Sequence, residues 1–248
     1  IPFAHEPDGV IGKIMLDAVR TANMVETKEG HANFVTVYDK KVQETLRKKL
    51  LEILPEAVFV GEEDDVHASI KKGFAFIVDP IDGTTNFIKD YHVSAISVGL
   101  AKDDEKYIGV VYNPYLDEMF TAERGRGAFL NGRPIHVSRN PLSEGIVLFG
   151  TAPYYEELSK KSFQMAYAYF KKALDVRRSG SAAIDLCSIA AGRAELYFEL
   201  RLSPWDFAAG ALIVEEAGGV VTTVEGGAVT LGQKCSVLAT NGRCGRLE

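Results

Sequence analysis

The chain has 248 residues, of which 46% are hydrophobic and 25% charged, and a net charge of −6. This is an ordinary globular composition, with enough apolar material for one compact domain or two small ones sharing a core. The acidic balance argues against nucleic acid as a main partner, and no apolar run approaches the roughly 18 residues of a membrane helix, so no membrane association is expected.

Apolar positions at Val10, Ile11, Ile14, Met15, Ala18, Val19 and Ala22 recur at helical spacing and predict a helix over 8–27. A second helix fits 39–52, with Val42, Leu46, Leu50 and Ile53 on one side, and stops before Pro55. Val58-Phe59-Val60 and Phe74-Ala75-Phe76-Ile77-Val78 read as buried strands. Strands are expected at 93–100, 107–112 and 118–122, and a hairpin at 125–132 with Asn131-Gly132 as the turn. After residue 140 short strands alternate with helices: strand 146–150, helix 154–172, an extended piece at 176–178, helix 182–192, strand 195–200, helix 205–217 closed by Gly218-Gly219, then strands 220–224 and 236–240. The division expected is an α+β half over 1–140 and an α/β half over 141–248, meeting at a shared interface without a linker.

Three acidic motifs stand out. Gly61-Glu62-Glu63 follows one strand, and Pro204-Trp205-Asp206 opens a helix. Between them lies Asp79-Pro80-Ile81-Asp82-Gly83-Thr84-Thr85-Asn86-Phe87, which leaves the end of the other strand. Pro80 fixes its own φ and biases Asp79 to an extended conformation, and Gly83 permits a tight turn with close backbone approach. A rigid elbow of this kind aims hard oxygen ligands and free N–H groups at one point, which suits Mg²⁺ together with a phosphate. Singly, each motif reads as a surface turn or a helix-terminal acid; together they raise the hypothesis of one site. The histidines at 5, 31, 67, 92 and 136 have no paired ligand spacing, so zinc is not expected, and phosphate-loop and dinucleotide glycine patterns are absent. Cys187, Cys235 and Cys244 are scattered and odd in number, and Ile1-Pro2-Phe3 opens no signal-peptide pattern; a cytoplasmic setting is expected.

Together these motifs, with Trp205-Asp206-Phe207-Ala208-Ala209-Gly210 and Glu216-Ala217-Gly218-Gly219, resemble the inositol monophosphatase family from about Lys28 to about Asn241. That family comprises Mg²⁺-dependent, lithium-sensitive phosphomonoesterases. The resemblance implies a layered α-β-α-β-α sandwich of the inositol monophosphatase and fructose-1,6-bisphosphatase type, two or three Mg²⁺ per site, and a homodimer. It also implies roles. Glu62, Asp79 and the Ile81 carbonyl match ligands of one metal; Asp79, Asp82 and Asp206 match those of a second. Thr84, with Asp39 behind it, matches the hydroxyl that positions the attacking water. The N–H groups of Gly83 and Thr84 match donors to phosphate, and Lys28 a basic residue near the outer metal water. Gly180-Ser181-Ala182, Glu199 and Asp206 match contacts to the alcohol half.

The implied substrate is a small phosphorylated polyol or sugar, by default myo-inositol 1-phosphate. Fructose 1,6-bisphosphate is an alternative, since Arg177 and Arg178 stand before Gly180 and offer a grip on a second phosphate. Nucleotide 3′-phosphates and NADP are others. A non-catalytic metal-binding scaffold is the rival from another class, and it would be expected to have lost one of Glu62, Asp79, Asp82, Thr84 or Asp206. The chain departs from the usual family pattern at His92, Ser181 and the added acids Asp64-Asp65, the last of which would either recruit a further cation or form a solvated loop.

Overall fold

The computed structural model describes residues 10–19, 25–27, 34–64 and 69–246. Helix α1 (Val10–Leu16) is shorter than the predicted 8–27, because the Val19 N–H donates to the Tyr38 hydroxyl at 2.8 Å instead of extending a helical ladder. Strands β1 (Val25–Thr27) and β2 (Phe34–Thr36) form an antiparallel pair where the helix had been expected to end. Helix α2 (Val37–Ile53) starts at Thr36, in a capping box in which the Thr36 N–H donates to Asp39 Oδ2 at 2.7 Å.

A seven-stranded sheet follows: β3 (Val58–Gly61), β4 (Phe74–Asp82), β5 (Ala95–Lys102), β6 (Glu105–Asn113), β7 (Glu118–Glu123), β8 (Ala128–Leu130) and β9 (Arg133–Ile135), paired in that order. Only β3–β4 is parallel. The Asn131-Gly132 turn joins β8 to β9 with both residues at positive φ, 49° and 74°, as a two-residue hairpin loop requires. β4 does not stop at Val78, as the apolar run suggested. It continues through Pro80 because its pairing with β5 shifts register between Asp79 and Asp82, and such a bulge is where a strand tolerates proline.

The second sheet has five strands in the order β11-β10-β12-β14-β13: β10 (Ile146–Phe149), β11 (Asp175–Arg177), β12 (Leu196–Leu202), β13 (Val220–Thr222) and β14 (Cys235–Thr240). β10 lies parallel to both neighbours, and β14 antiparallel to both of its own. Helices α5 (Ala182–Ala190) and α6 (Pro204–Glu216) fill the space between the sheets, with α1 and α2 outside the first sheet and α4 (Glu156–Phe170) outside the second. The fold is therefore the α-β-α-β-α sandwich. Its central core runs from Ala75, Ile77 and Val111 through Leu186, Phe207 and Leu212 to Tyr197 and Val237. The remaining helix, α3 (Thr84–Ile88), is a single turn after β4. Among the described residues no helix is long and apolar enough to cross a membrane.

α6 reaches the first sheet because two strand glycines give it room. A Cβ on Gly109 would sit 2.6 Å from the Ala209 carbonyl oxygen, and one on Gly99 would sit 3.1 Å from Ala208 Cβ. This close seating sets the position of Asp206, in the first turn of the same helix.

Candidate active site

Glu62, Asp79, Ile81, Asp82, Thr84, Glu199 and Asp206 line one cleft of about 250 Å³, with Gly83 and Gly180-Ser181-Ala182 on its walls. Acids far apart in the chain thus meet, as their motifs required. Asp39 lies buried behind this wall, and Lys28 lies outside the described residues.

Each acid is held by a separate local device. Asp79 is buried in β4, and its Oδ1 accepts from the Ile81 N–H at 3.0 Å, which fixes the carboxylate across Pro80. Asp206 Oδ2 accepts from the Ser203 N–H at 2.6 Å, a helix-start bond that leaves its other oxygen without a hydrogen bond among the described residues. Asp82 Oδ2 accepts from Ser181 Oγ at 2.5 Å and from the Ala183 N–H at 2.8 Å, tying the elbow to the first turn of α5. Glu62 stands in the turn after β3, where its N–H donates to the Val78 carbonyl at 3.0 Å. That turn is clamped by Asp64, which accepts from the Gly61 N–H at 3.0 Å, from Gln43 Nε2 at 3.1 Å and from Arg47. Both Asp64 oxygens are thus taken up in tying this turn to α2; Asp65 lies outside the described residues.

Gly83 follows Asp82 in the left-handed region, φ 89°, and a Cβ there would sit 2.9 Å from the Val93 carbonyl oxygen. The turn is closed by Asn86, whose Nδ2 donates to the Val93 carbonyl at 2.7 Å and to the Ser179 carbonyl at 2.9 Å. Asn86 thus joins the elbow to the Gly180 loop of the second half, a link that its place in the motif gave no means of seeing. Thr84 Oγ1 lies 3.4 Å from Asp39 Oδ1 and 3.2 Å from the Ile81 carbonyl oxygen, so its hydroxyl faces two acceptors and keeps lone pairs for the cleft.

The electrostatics are those of crowded like charges. Burial raises the Asp79 pKa well above the ordinary carboxylate value, and the charges of Glu62, Asp82, Asp206 and Asp39 raise it further. Burial, then Glu62 and Asp82, does the same to Asp206. Asp82 rises to about 6 through burial, against the bonds from Ser181, Ala183 and Ala182. An oxygen-only cluster of this kind fits hard cations. Among the described residues no three His, Cys, Asp or Glu side chains close into a ready cage. Mg²⁺ keeps several of its waters and shares substrate phosphate oxygens, so it asks for fewer protein oxygens than a closed cage supplies.

Along the opposite wall, Glu199 is buried; it accepts from the Ala152 N–H and from the Tyr197 hydroxyl, each at 2.8 Å. Gly150 makes room for it, since a Cβ there would sit 1.9 Å from Glu199 Oε2. Ser181 uses its hydroxyl on Asp82 and accepts from the Ile184 N–H at 3.3 Å, and its own N–H donates to Ser179 Oγ at 3.0 Å, so its polar groups are engaged within the fold. Arg177 does not enter: it pairs with Asp175 on the surface, while Arg178 lines the cleft. Asp185, Thr151, Tyr154 and Arg201 also line it and were not singled out from the sequence, since no local pattern marks them.

The model of the family described as inositol monophosphatase matches residues 3–246. An inositol-1-monophosphatase from Rhizobium meliloti is 39% identical over 206 residues, covering 83% of this chain and 77% of that protein. A protein named Nus factor SuhB, from Vibrio cholerae, is 38% identical over 218 residues, covering 87% and 82%. Among solved structures, a Thermotoga maritima IMPase superposes with a TM-score of 0.85 at 31% identity, covering 94% of this chain and 89% of that one. A staphylococcal IMPase-II, solved with inositol monophosphate bound, gives 0.75 at 31% identity over 83% and 80%.

Proposed function

Because the chain belongs to the inositol monophosphatase family, we propose that it hydrolyses the phosphate monoester of a small polyol with the aid of Mg²⁺, myo-inositol 1-phosphate being the reference substrate. The observation that carries this reading is the single cleft lined by Glu62, Asp79, Asp82 and Asp206 together with Thr84 and Glu199. Glu62, Asp79 and the Ile81 carbonyl would hold one cation, and Asp79, Asp82 and Asp206 a second. Bound there, Mg²⁺ supplies the Lewis acidity that lowers the pKa of water and neutralises charge on the ester oxygens.

The protein's own groups do the rest. The first amides of α3, at Gly83 and Thr84, which have no intrahelical partner, would receive phosphate oxygens. Thr84 Oγ1 orients the attacking water and accepts its proton while passing its own to Asp39 Oδ1. The water oxygen bonds to phosphorus, the ester P–O bond breaks, and the departing alkoxide takes a proton from solvent. Glu199 and the other oxygen of Asp206 accept from hydroxyls of the alcohol half.

Phosphate release from myo-inositol 1-phosphate, with and without Mg²⁺, tests the reading. Release that depends on Mg²⁺ supports it. If the folded protein releases no phosphate from inositol 1-phosphate, fructose 1,6-bisphosphate, adenosine 3′,5′-bisphosphate or NADP, the chain is a metal-binding scaffold instead. Inhibition by Li⁺ at tens of millimolar, a cytoplasmic setting and a homodimer belong to the same proposal. The dimer is supported by the exposed aromatic stripe Phe163, Tyr167 and Phe170 on α4, and a monomeric mass by light scattering would remove it.

A further inference from the structure

Of the four carboxylates in the cleft, Asp79 and Asp82 lie on β4, an inner strand, and Asp206 rides on α6 in the central core. Glu62 is held differently. It follows β3, an edge strand of the seven-stranded sheet, so β4 supports its turn on one side and, among the described residues, no strand supports it on the other.

The second side is taken by α2. The buried Gln43 reaches under the turn: its Oε1 accepts from the Glu63 N–H at 3.0 Å, and its Nε2 donates to Asp64 Oδ1 at 3.1 Å. Only this orientation of the amide satisfies both neighbours. Gly61 admits it, since a Cβ there would overlap the Gln43 amide. One helical turn on, the Arg47 guanidinium lies 4.1 Å from the centroid of the Phe59 ring on β3 and donates to the same Asp64 oxygen. Asp64 Oδ2 closes the ring by accepting from the Gly61 N–H at 3.0 Å. Glu62 is thus bracketed, with the residue before it and the two after it bonded into one side-chain network anchored on α2. Both oxygens at 64 face donors, so an amide there would set its NH₂ against another donor whichever way it turned.

Gln43, Arg47 and Asp64 stand outside the cleft itself. We propose that they are positioning residues for the cation site built on Glu62, holding the turn so that its carboxylate meets those of β4 before a cation arrives. The inference rests on the Mg²⁺-dependent phosphatase reading above and deepens it. A ligand held in advance needs no ordering when the cation binds, so loss of the clamp shows as weaker cation binding.

Mg²⁺ binding to the folded protein, followed by titration calorimetry at pH 8 without substrate, tests this. Asp64→Asn is expected to raise the Kd of the site built on Glu62 by roughly 10- to 100-fold, the range for outer partners of metal ligands. Gln43→Glu sets a second carboxylate against Asp64 and adds negative charge near the cleft. It is expected to weaken binding too, whereas attraction through space alone would tighten it. The Gln43→Glu, Asp64→Asn double variant keeps the net charge and exchanges the two groups. Its carboxylate at 43 can accept from the Glu63 N–H and from the amide at 64, whose oxygen accepts from the Gly61 N–H, so Kd should return most of the way to the wild-type value. In a Glu62→Gln background, Asp64→Asn should cost little more, because the clamp acts through that ligand. In phosphate release from myo-inositol 1-phosphate, the Mg²⁺ needed for half-maximal rate should rise in the single variants, while KM at saturating Mg²⁺ stays where it was. Arg47→Met leaves the ties to the turn's backbone in place; it should give a smaller loss in the same direction and stands in if Asp64→Asn does not fold. Unchanged Mg²⁺ affinity in the single variants, tighter binding by Gln43→Glu, a double variant no better than its parents, or an equal loss in the Glu62→Gln background overturns the inference while the phosphatase reading stands. A wild-type protein that binds no Mg²⁺ removes both.

Discussion

Asp82 is the residue on which both halves of the chain converge, since Ser181 and Ala183 of α5 bond the carboxylate that β4 delivers. Asp82→Asn keeps an acceptor oxygen for those donors and loses the charge. Turnover should fall by about 100-fold or more with Tm little changed, and wild-type rates in that variant would contradict the role given to it. Asp39 makes a different prediction. Burial lifts its pKa from 3.8 to about 6 against the opposing bonds from Thr36, so the folded carboxyl takes its proton before the unfolded one does. Its contribution to stability is full below pH 3.8 and is lost as pH rises through about 6. In chelator, Asp39→Asn should therefore be more stable than the parent at pH 8, by about 1–3 kcal/mol, and the gap should close by pH 4; a gap independent of pH would refute this. At this scale the sequence was most informative about acids. The ligand candidates were visible because Pro80 and Gly83 constrain the backbone between and after Asp79 and Asp82 in ways few other purposes need. Arg178, Arg201 and Asn86 were not separable from their neighbours, because what distinguishes Arg178 from Arg177 is which side of a β-edge each leaves, and no local pattern encodes that.

Among the elements, α6 is held against the first sheet by absent side chains. Gly109→Ala forces a methyl group into the Ala209 backbone and should cost about 1–3 kcal/mol, read as a lowered denaturant midpoint. Gly232→Ala, with nothing within 4 Å of the added carbon, serves as the neutral control. Equal midpoints for the two would show that α6 is not seated where the structure puts it. Strands and hairpins were readable from alternation and the Asn131-Gly132 turn, and most helix limits came within a few residues. The long helix over 8–27 was misread because periodicity extends past Leu16, and only a distant hydroxyl, that of Tyr38, ends the ladder. The extension of β4 through Pro80 was hidden for the same reason: the bulge that admits proline is made by pairing with β5.

For the molecule as a whole, the central question is whether the division near residue 140 separates two folding units. We propose that it does not, because α5 and α6 pack under both sheets and one apolar cluster spans them. Far-UV dichroism and the fluorescence of Trp205, the single tryptophan, should report one coincident unfolding transition. Two separated transitions would defeat the proposal. Mg²⁺, by binding the folded state alone, should stabilise it by about 2.7 kcal/mol at a hundredfold excess over Kd, read as a raised Tm, and Asp206→Asn should largely abolish that rise. The order of the second sheet, in which β14 lies between β12 and β13, was beyond any reading of local periodicity, because it depends on which distant strands share a buried face.

Asp206 rides on the same rigid rod whose next residues, Ala208 and Ala209, press against Gly99 and Gly109. The interior is thus geared to the mouth of the cleft. Bulk added beneath that rod, in a place outside the cleft, would tilt one wall of the proposed cation site before it melted the protein, so on the function proposed above, selection for a denser, more heat-tolerant interior at this seam would be opposed by selection for turnover.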